Sequence, residues 1–327
     1  MDTNLKPIGG FFELELSRGN SIYHKTAIPL TNGRACINLI LKKTKPHKIY
    51  IPFYTCDAII EPITINKVDF EYYPIDEKLN PLSLPNLSDN EYFLYINYFG
   101  MKNSTVTFLI DKYGENLIVD NTHDFFNLGF KGLWSFTSAR KYFGVPDGAY
   151  LYAPIKIKEK FDRVKEISIS HLVNRLAGNQ SLAYKQFLEH EQSFNSKILS
   201  ISKISELLLS NINYKVVKRK RRDNFLFISR FLDKYNTLQL KGIEKENPFC
   251  YPFLPENYID KSLLYKNNFF IPSYWLDTLQ RNKDGFLIEK KLSKNLLPLP
   301  IDHRYNKSDL KKLIDFLTKL IKENKYE

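Results

Sequence analysis

The feature that most constrains the fold is an alternation of short strand-like segments with helix-like stretches between residues 28 and 155. The strand-like segments, rich in β-branched or aromatic residues, lie at 48–52, 69–73, 91–97, 117–120 and 132–136. One of the helix-like stretches is short, 55–61, and we expect Pro62 to end it. Strands that alternate with helices predict a mostly parallel sheet of the α/β class. Ligands of such sheets bind beyond the carboxyl ends of the strands, so polar residues that follow strands are functional candidates.

The remainder of the chain predicts a different organisation. Residues 156–235 are rich in Lys, Glu, Leu and Ser at helical spacing, which predicts a mainly helical part. Strand-like segments return at 250–255 and 268–272, and the apolar positions of 307–322 fit one face of a helix. This pattern predicts a small α+β unit at the C-terminal end.

The net charge of +12 and the pI of about 9.3 would ordinarily suggest a nucleic acid, an anionic membrane or a phosphorylated ligand. Only 11 of the 48 basic residues are arginine, the residue that bidentate phosphate and base-edge contacts prefer. The excess is therefore a weak indication of nucleic acid, and we expect none as a partner. The run KRKRR at 218–222 keeps open a basic binding protein with a vestigial cofactor site. It leads into a helix with an apolar face, which favours a solvated helix start or the lining of a cleft.

The three cysteines are far apart and form no CxxC pair, which argues against a disulfide framework or a zinc site and favours a reducing compartment. The histidines show no metal-ligand spacing, so we expect no metal. The opening residues MDTNLKPIGG lack the pattern of a signal peptide, and the apolar runs are too short to span a membrane. We expect a soluble, cytoplasmic protein without a membrane partner.

Two segments carry residues suited to cofactor chemistry. Asp120 ends the apolar run LIVD, and the segment SFTSARK at 135–141 supplies hydroxyls, an arginine and Lys141. Taken alone, each is common as a solvated loop or as surface charge. Together they match a pyridoxal phosphate enzyme, which needs a lysine that bonds to the cofactor, a carboxylate for the pyridine nitrogen and donors for the phosphate.

Two further segments fit the same ligand. An Asn-Gly turn at 32–33 opens an amphipathic helix, whose free N–H groups form an anion site, although such turns are also ordinary helix starts. In IPFYTCD at 51–57 a strand passes into a helix, and the aromatic ring of Tyr54 suits stacking on a flat ring. Ordinary packing explains this second segment equally well.

In this order the segments resemble the DegT/StrS-type family of sugar aminotransferases, which have the fold-type I architecture. The similarity covers nearly the whole chain. The matching segments are GGFFELEL (9–16), LTNGRACINLIL (30–41), IPFYTCDAIIEPI (51–63), INYFG (96–100), VDNTHDF (119–125), SFTSARKYFGVPDGA (135–149), KRKRRDNF (218–225) and LLPLPIDHRYNKSDLKKLIDFL (296–317).

The resemblance implies a mostly parallel seven-stranded sheet with helices on both faces and a small α+β C-terminal domain. It divides the chain into an N-terminal segment (1–23) that packs with the small domain, a large cofactor-binding domain (24–215) and the small domain (216–327). It also implies a homodimer, in which Asn174 is the candidate residue that a partner subunit contributes to the phosphate.

The resemblance further implies the roles of individual residues. Lys141 would bind pyridoxal phosphate covalently and transfer protons, Asp120 would pair with the pyridinium nitrogen, and His123 would contact the phenolic oxygen. The phosphate would be held by backbone groups of Gly33, Arg34 and Ala35 and by the hydroxyls of Ser135 and Ser138. Tyr54, chosen over Cys56 because it can stack, would lie on the ring.

The loop after the lysine departs from the family pattern. It is shorter than usual, and an ungapped alignment places Arg140 where the family has its lysine. Arginine stays protonated and cannot form the bond to the cofactor, so chemistry selects Lys141.

The resemblance implies an enzyme, a pyridoxal phosphate-dependent aminotransferase. It would move an amino group from an amino acid, with glutamate the expected donor, to a keto sugar, nucleotide-linked and destined for surface polysaccharide. A sugar dehydratase of the same family is the alternative, but those relatives carry histidine in place of the lysine, so Lys141 opposes it. Trp275 and Arg304 are candidates for reaching the substrate.

Overall fold

The computed structural model describes residues 8–238, 240 and 247–323. The strands of the described residues are β1 (Ile28–Leu30), β2 (Lys48–Pro52), β3 (Asp69–Tyr73), β4 (Glu91–Ile96), β5 (Leu117–Asp120), β6 (Trp134–Ser138), β7 (Ala149–Tyr152), β8 (Tyr251–Phe253) and β9 (Leu297–Leu299). Their helices are α1 (Gly33–Thr44), α2 (Ile60–Ile65), α3 (Asn103–Tyr113), α4 (Ser170–Leu176), α5 (Gln180–Ser193), α6 (Lys203–Ser210), α7 (Tyr214–Leu232), α8 (Lys261–Lys266), α9 (Asp277–Gln280), α10 (Leu287–Asn295) and α11 (Lys307–Glu323).

Seven strands form one sheet in the order β1-β7-β6-β5-β4-β2-β3. The pairs β2–β3, β2–β4, β4–β5 and β5–β6 are parallel, whereas β7 runs antiparallel to both β1 and β6. Every residue of β5 and β6 is buried, which requires that both faces of the sheet are covered. The predicted mostly parallel α/β sheet of seven strands is confirmed.

Register places the functional candidates at one edge of this sheet. Ile96 of β4 lies beside Asp120 of β5, and Asp120 lies beside Phe136 of β6. Because the three strands are parallel, the loops that follow them leave the sheet on the same side. The loop after β6 carries Lys141, so the lysine and Asp120 are neighbours although one strand separates them in sequence.

The C-terminal part forms the predicted small α+β unit. Strands β8 and β9 pair antiparallel, and α7 packs against β8 and against α11. The buried side of α11 includes Leu310, Leu313 and Leu317, as its spacing predicts.

Two local predictions are wrong. Pro62 does not end a helix, because α2 begins only at Ile60 and proline is tolerated in a first turn. The segment 268–272 is not a strand, because it closes the end of α8: Asn268 takes a left-handed conformation and the amide of Phe269 donates to the carbonyl oxygen of Leu264 at 2.9 Å. With its amide used there, Phe269 packs its ring against Phe316 at 5.5 Å.

The described part of the N-terminal segment lies along α6. The amide of Ser21 donates to the carbonyl oxygen of Ser210 at 3.0 Å, and Arg18 pairs with Glu206 at 3.0 Å. These contacts join the segment to a helix within residues 24–215. The division into the three ranges 1–23, 24–215 and 216–327 stays a prediction.

The loop that carries Lys141 is held at its far end by a buried carboxylate, Asp147. Asp147 accepts hydrogen bonds from the amide of Ser202 at 2.8 Å, from the Ser202 hydroxyl at 2.5 Å and from the Ser205 hydroxyl. The next residue, Gly148, donates its amide to the carbonyl oxygen of Thr31 at 2.6 Å, just before α1. The shortened lysine loop is thereby connected both to α6 and to the start of α1.

We expect Asp147→Ala to lower the free energy of unfolding by about 3 kcal/mol, because three buried donors lose a charged acceptor. Chemical denaturation of the purified protein measures this. The control is Asp223→Ala on the exposed side of α7, which should change the free energy by less than about 0.5 kcal/mol. Equal effects of the two substitutions would contradict the role of Asp147.

Candidate active site

A buried polar layer covers the carboxyl ends of β4, β5 and β6. Asn97 follows β4, and its side-chain amide donates to the Asn121 side chain at 3.0 Å. The amide of Asn121 donates to the carbonyl oxygen of Phe136 at 2.8 Å, and the Thr137 hydroxyl donates to the carbonyl oxygen of Asn121 at 2.8 Å. Because these backbone groups are satisfied inside the protein, the strand ends form a rigid support for the side chains above them.

Lys141 and His123 contact each other at the centre of the site. The Lys141 Nζ lies 3.0 Å from His123 Nε2, and the amide of Phe99 donates to His123 Nδ1 at 3.3 Å. A neutral imidazole that accepts at Nδ1 carries its proton on Nε2. The Nε2 proton therefore points at the lone pair of a neutral Lys141 amine, which is the nucleophilic form of lysine.

Gly100 allows the turn after β4 to reach His123. Its φ is +68°, and a Cβ added there would lie 2.4 Å from the carbonyl oxygen of His123. A side chain at this position would displace the backbone that presents the Phe99 amide to the imidazole. The backbone conformation and the close approach of His123 thus explain why the INYFG segment ends in glycine.

The surroundings shift the pKa values of Lys141 and His123. Burial lowers the pKa of Lys141, although Cys56 and Asp120 act against this shift. Burial also lowers the pKa of His123 well below its ordinary value, and the charge of Lys141 acts in the same direction. Lys141 is exposed to a cavity but surrounded by protein on its other sides, so a lowered lysine pKa fits its position.

Asp120 lies in the same environment. Burial raises its pKa, while hydrogen bonds from Thr122 and the charge of Lys141 oppose that change. The amide of Thr122 donates to Asp120 Oδ1 at 2.8 Å. Asp120 is 7% exposed, at the carboxyl end of β5.

The start of α1 lies against these strand ends. A Cβ added to Gly33 would be 3.5 Å from the Phe136 ring and 3.8 Å from the Thr122 methyl group. The side chain of Asn32 caps the helix by accepting the amide of Ala35 at 3.0 Å. The predicted residues Gly33 and Ala35 are thus next to the ends of β5 and β6.

The Arg34 side chain extends toward α2 and the end of α5. Its Nη1 donates to the carbonyl oxygen of Phe194 at 2.6 Å, and its Nε lies 3.3 Å from Glu61. At Arg34, only the backbone remains for the phosphate role that the resemblance implies.

The state of the Ser135 hydroxyl shows whether the site is compatible with a phosphorylated cofactor. Ser135 is completely buried, and its Oγ has no hydrogen-bond partner among the described residues. Ser138 is buried at the end of the same strand. A buried hydroxyl without a protein partner is uncommon and fits a missing acceptor such as a phosphate oxygen. Together with a lysine, a carboxylate and a helix start, it makes the residues present compatible with pyridoxal phosphate.

Tyr54 and Cys56 differ in their exposure and in their neighbours. Tyr54 is completely buried, with its ring 4.4 Å from that of Trp275 in an edge arrangement. Cys56 is partly exposed. Burial raises the pKa of its thiol, while the charge of Lys141 opposes that change and the charge of Asp120 adds to it.

Arg140 points away from the cofactor residues. Its guanidinium pairs with Glu191 and lies 4.0 Å from the centre of the Phe194 ring. Burial lowers the pKa of Arg140 to about 10. The geometry agrees with the chemical argument that selects Lys141 over its neighbour.

A cavity of about 510 Å³ opens from Lys141 toward the small α+β unit, within the range of ligand pockets. Its lining includes Lys141, Arg175, Arg221, Cys250, Tyr274 and Arg304. One arginine of the KRKRR run, Arg221, is thus part of a cleft, while Lys218, Arg219 and Arg222 are exposed. Trp275 is buried, with its ring 5.4 Å from that of His123.

Sequence reasoning missed one aromatic residue of the site. The Phe249 ring stacks on His123 with a centroid distance of 4.5 Å and an angle of 13°. No motif marks this phenylalanine, which comes from a distant part of the chain. Its position before the strand-like segment 250–255 is the one signal that sequence offers.

The fold is shared with aminotransferases of known structure. A DegT DnrJ EryC1 StrS aminotransferase from Brucella abortus matches with a TM-score of 0.59 and 15% identity, over 90% of this chain and 85% of its own. The sugar aminotransferase CalS13 from Micromonospora echinospora matches with a TM-score of 0.62 and 12% identity, over 90% of this chain and 87% of its own. NtdA from Bacillus subtilis, solved with bound cofactor PMP, matches with a TM-score of 0.61 and 13% identity, over 90% of this chain and 73% of its own.

No family model and no curated protein matches the sequence. At these identities the likeness to solved structures shows the fold. The chain has the architecture of the DegT/StrS-type sugar aminotransferases, and at this level the sequence resemblance is confirmed. No helix among the described residues combines the length and apolar character that a bilayer span requires.

The lowered pKa of Lys141 predicts a pH dependence. The neutral fraction of an amine rises with pH, so a lysine with a lowered pKa becomes reactive at lower pH than an ordinary one. We expect labelling of Lys141 by pyridoxal phosphate and borohydride to level off at lower pH than labelling of the exposed Lys215 in the same sample. Peptide mass spectrometry measures both. Coincident curves for the two lysines would contradict the prediction.

Proposed function

We propose that the protein is a pyridoxal phosphate-dependent sugar aminotransferase. The observation that carries the proposal is the contact of the Lys141 amine with His123 Nε2 at 3.0 Å, beside Asp120, in a fold shared with sugar aminotransferases. A lysine with a lowered pKa next to a buried carboxylate is the pairing that this chemistry needs. The unpartnered hydroxyl of Ser135 supports a phosphate at the same site.

Each residue has a role that follows from its position. Asp120 would pair with the pyridine nitrogen, and His123 would contact the ring oxygen. The amides of Gly33 and Arg34 with the hydroxyls of Ser135 and Ser138 would hold the phosphate, since the Ala35 amide already donates to the Asn32 side chain. We place Cys56 rather than Tyr54 beside the ring, because Cys56 is partly exposed in the loop that follows β2, whereas the Tyr54 ring is completely buried against Trp275. When bound, pyridoxal phosphate supplies an electron sink for negative charge on the substrate carbon.

The Lys141 Nζ is the atom that moves protons. In its neutral form it takes a proton from the substrate carbon, and as an ammonium it returns one to the acceptor. The hydrogen bond from His123 orients the amine and supports the neutral form. Phe249 and Trp275 pack against the imidazole and limit its movement.

The substrates follow from the proposed class. An amino acid, with glutamate the first choice, gives its nitrogen, and a keto sugar accepts it in a second half-reaction. The arginines of the cavity suit a nucleotide-linked sugar, whose diphosphate is anionic. The product would serve the synthesis of surface polysaccharide, in the cytoplasm where nucleotide sugars are made.

The other two functions have less support. A sugar dehydratase would have histidine where this chain has Lys141, and the structure directs Lys141 into the site. A basic binding protein would expose the whole KRKRR run, but Arg221 is 3% exposed and lines the cavity.

A homodimer is part of the proposal. Helices α4 and α5 pack on each other and expose an apolar surface. The exposed residues of this surface are Val173, Leu176, Leu182, Tyr184, Phe187 and Leu188. A surface of this kind suits an interface between two copies. Asn174 lies on the same hairpin and donates to the carbonyl oxygen of Ser170 at 3.1 Å and to Gln186 at 2.9 Å.

We expect wild-type protein mixed with pyridoxal phosphate to show a new visible absorbance band. Borohydride should then fix the cofactor's mass on the peptide that contains Lys141. The Lys141→Ala variant should lose both signals, because alanine has no amine. Lys215→Ala, at an exposed lysine, is the control and should keep both. A Lys141→Ala protein that retained the reducible band would refute the assignment.

Leu176→Glu should convert the dimer to a monomer, because it places a charge in the apolar surface of α4 and α5. Light scattering after size-exclusion chromatography measures the mass. Leu287→Glu, at an equally exposed leucine of α10, is the control and should leave the dimer intact. A wild-type monomer, or a dimer that Leu176→Glu does not weaken, would contradict the proposed interface.

A further inference from the structure

Arg221 is a buried cation whose hydrogen bonds are incomplete. It is 3% exposed, and its guanidinium stacks over the Tyr142 ring at 4.3 Å. One terminal nitrogen donates to the carbonyl oxygen of Phe249. The Nε is buried and has no hydrogen-bond partner among the described residues. A buried guanidinium in this state lacks an acceptor.

The carboxylate that acts on Arg221 is already paired. Asp302 stabilises the charge of Arg221 but accepts two hydrogen bonds from Arg304, at 2.7 and 3.0 Å. Asp302 therefore gives Arg221 only a partial counter-charge. Burial of a cation without a close anion is unfavourable, and such positions are frequent in binding sites.

Arg221 and Lys141 line the same cavity and share a neighbour. The Lys141 Nζ lies 5.9 Å from the centre of the Phe249 ring, and the Arg221 guanidinium carbon lies 6.0 Å from the same centre. An anionic group on a molecule that reacts at Lys141 can thus reach the guanidinium.

We propose that Arg221 binds the carboxylate of the amino-acid donor. The inference rests on the proposed function and assigns a residue to one of its two substrates. In an amino acid the carboxylate and the reacting nitrogen are attached to the same carbon, so the cation for that carboxylate must be close to the lysine. Guanidinium and carboxylate also match in geometry, since two parallel hydrogen bonds can form between them.

The acceptor's phosphates favour a different part of the cavity. In a nucleotide-linked keto sugar the diphosphate is several bonds from the keto carbon, so its cations should lie farther from the lysine. Arg175 and Arg304 line the same cavity and are more exposed to solvent than Arg221. Arg221 is the deeper cation and is therefore assigned to the smaller substrate.

The first test measures binding without turnover. Succinate serves as a dicarboxylate probe and is titrated by calorimetry into the protein twice, once without cofactor and once after incubation with excess pyridoxal phosphate. We expect Arg221→Met to weaken binding at least tenfold. Arg221→Lys, which keeps the charge but not the paired donors, should weaken it less. Arg222→Met, at the exposed neighbour, is the matched control and should bind as the wild type does.

The second test separates the two substrates. Arg221→Met and Arg221→Lys should raise the glutamate concentration for half-maximal rate of the first half-reaction and leave that of the keto sugar unchanged. Pyrophosphate, titrated as a phosphate probe, should bind Arg221→Lys as it binds the wild type. Weakened pyrophosphate binding with unchanged succinate binding would overturn the assignment and place the acceptor's phosphate at Arg221.

Failure of the proposed function is distinguishable from failure of this inference. A protein that never bonds pyridoxal phosphate at Lys141 refutes the proposed function, while the succinate titration still reports on Arg221. A protein that bonds the cofactor and uses glutamate with the same half-saturation in wild type and both Arg221 variants refutes the inference alone.

Discussion

The parallel pairing of β4, β5 and β6 is the constraint on which the rest of the structure depends. Parallel strands end at the same edge of a sheet, so their hydrogen bonds bring Asn97, Asp120 and the segment before Lys141 together. The backbone groups at these ends are buried and must be satisfied, and Asn97 and Asn121 do this from within the protein. A rigid polar layer results, and the reactive side chains are placed on it.

Burial of the side chains above that layer shifts their pKa values. Burial disfavours the charged forms of both Lys141 and His123, and their contact suits two neutral groups in which the imidazole donates to the amine. The same burial leaves the Ser135 hydroxyl and the Arg221 Nε without partners. Arg221 lines the same cavity as Lys141, so a ligand in that cavity could supply the acceptor that its Nε lacks among the described residues.

Much of the fold and part of the site could be predicted from the sequence. Strands β2, β3 and β5 have the predicted bounds, because alternating or continuous apolar runs and their polar ends are local signals. The short antiparallel strands β1 and β7 and the non-strand segment 268–272 were not predictable, since pairing partners decide such segments. Local patterns predicted Asp120 and Lys141, and the family resemblance added His123, whereas Phe249 and Asp147 contact their partners across long stretches of chain.

The sequence by itself determined the α/β class, the order of the motifs and the choice of Lys141 over Arg140, because periodicity and the chemistry of arginine are properties of the residues. Only the tertiary structure decided which side chains meet. It buried Arg221 of the KRKRR run in the lining of the cavity that Lys141 also lines, and it left Lys218, Arg219 and Arg222 exposed. The physical reason is that burial and distance belong to the packed chain, and these two quantities set the charge state of each group and the partners it can reach.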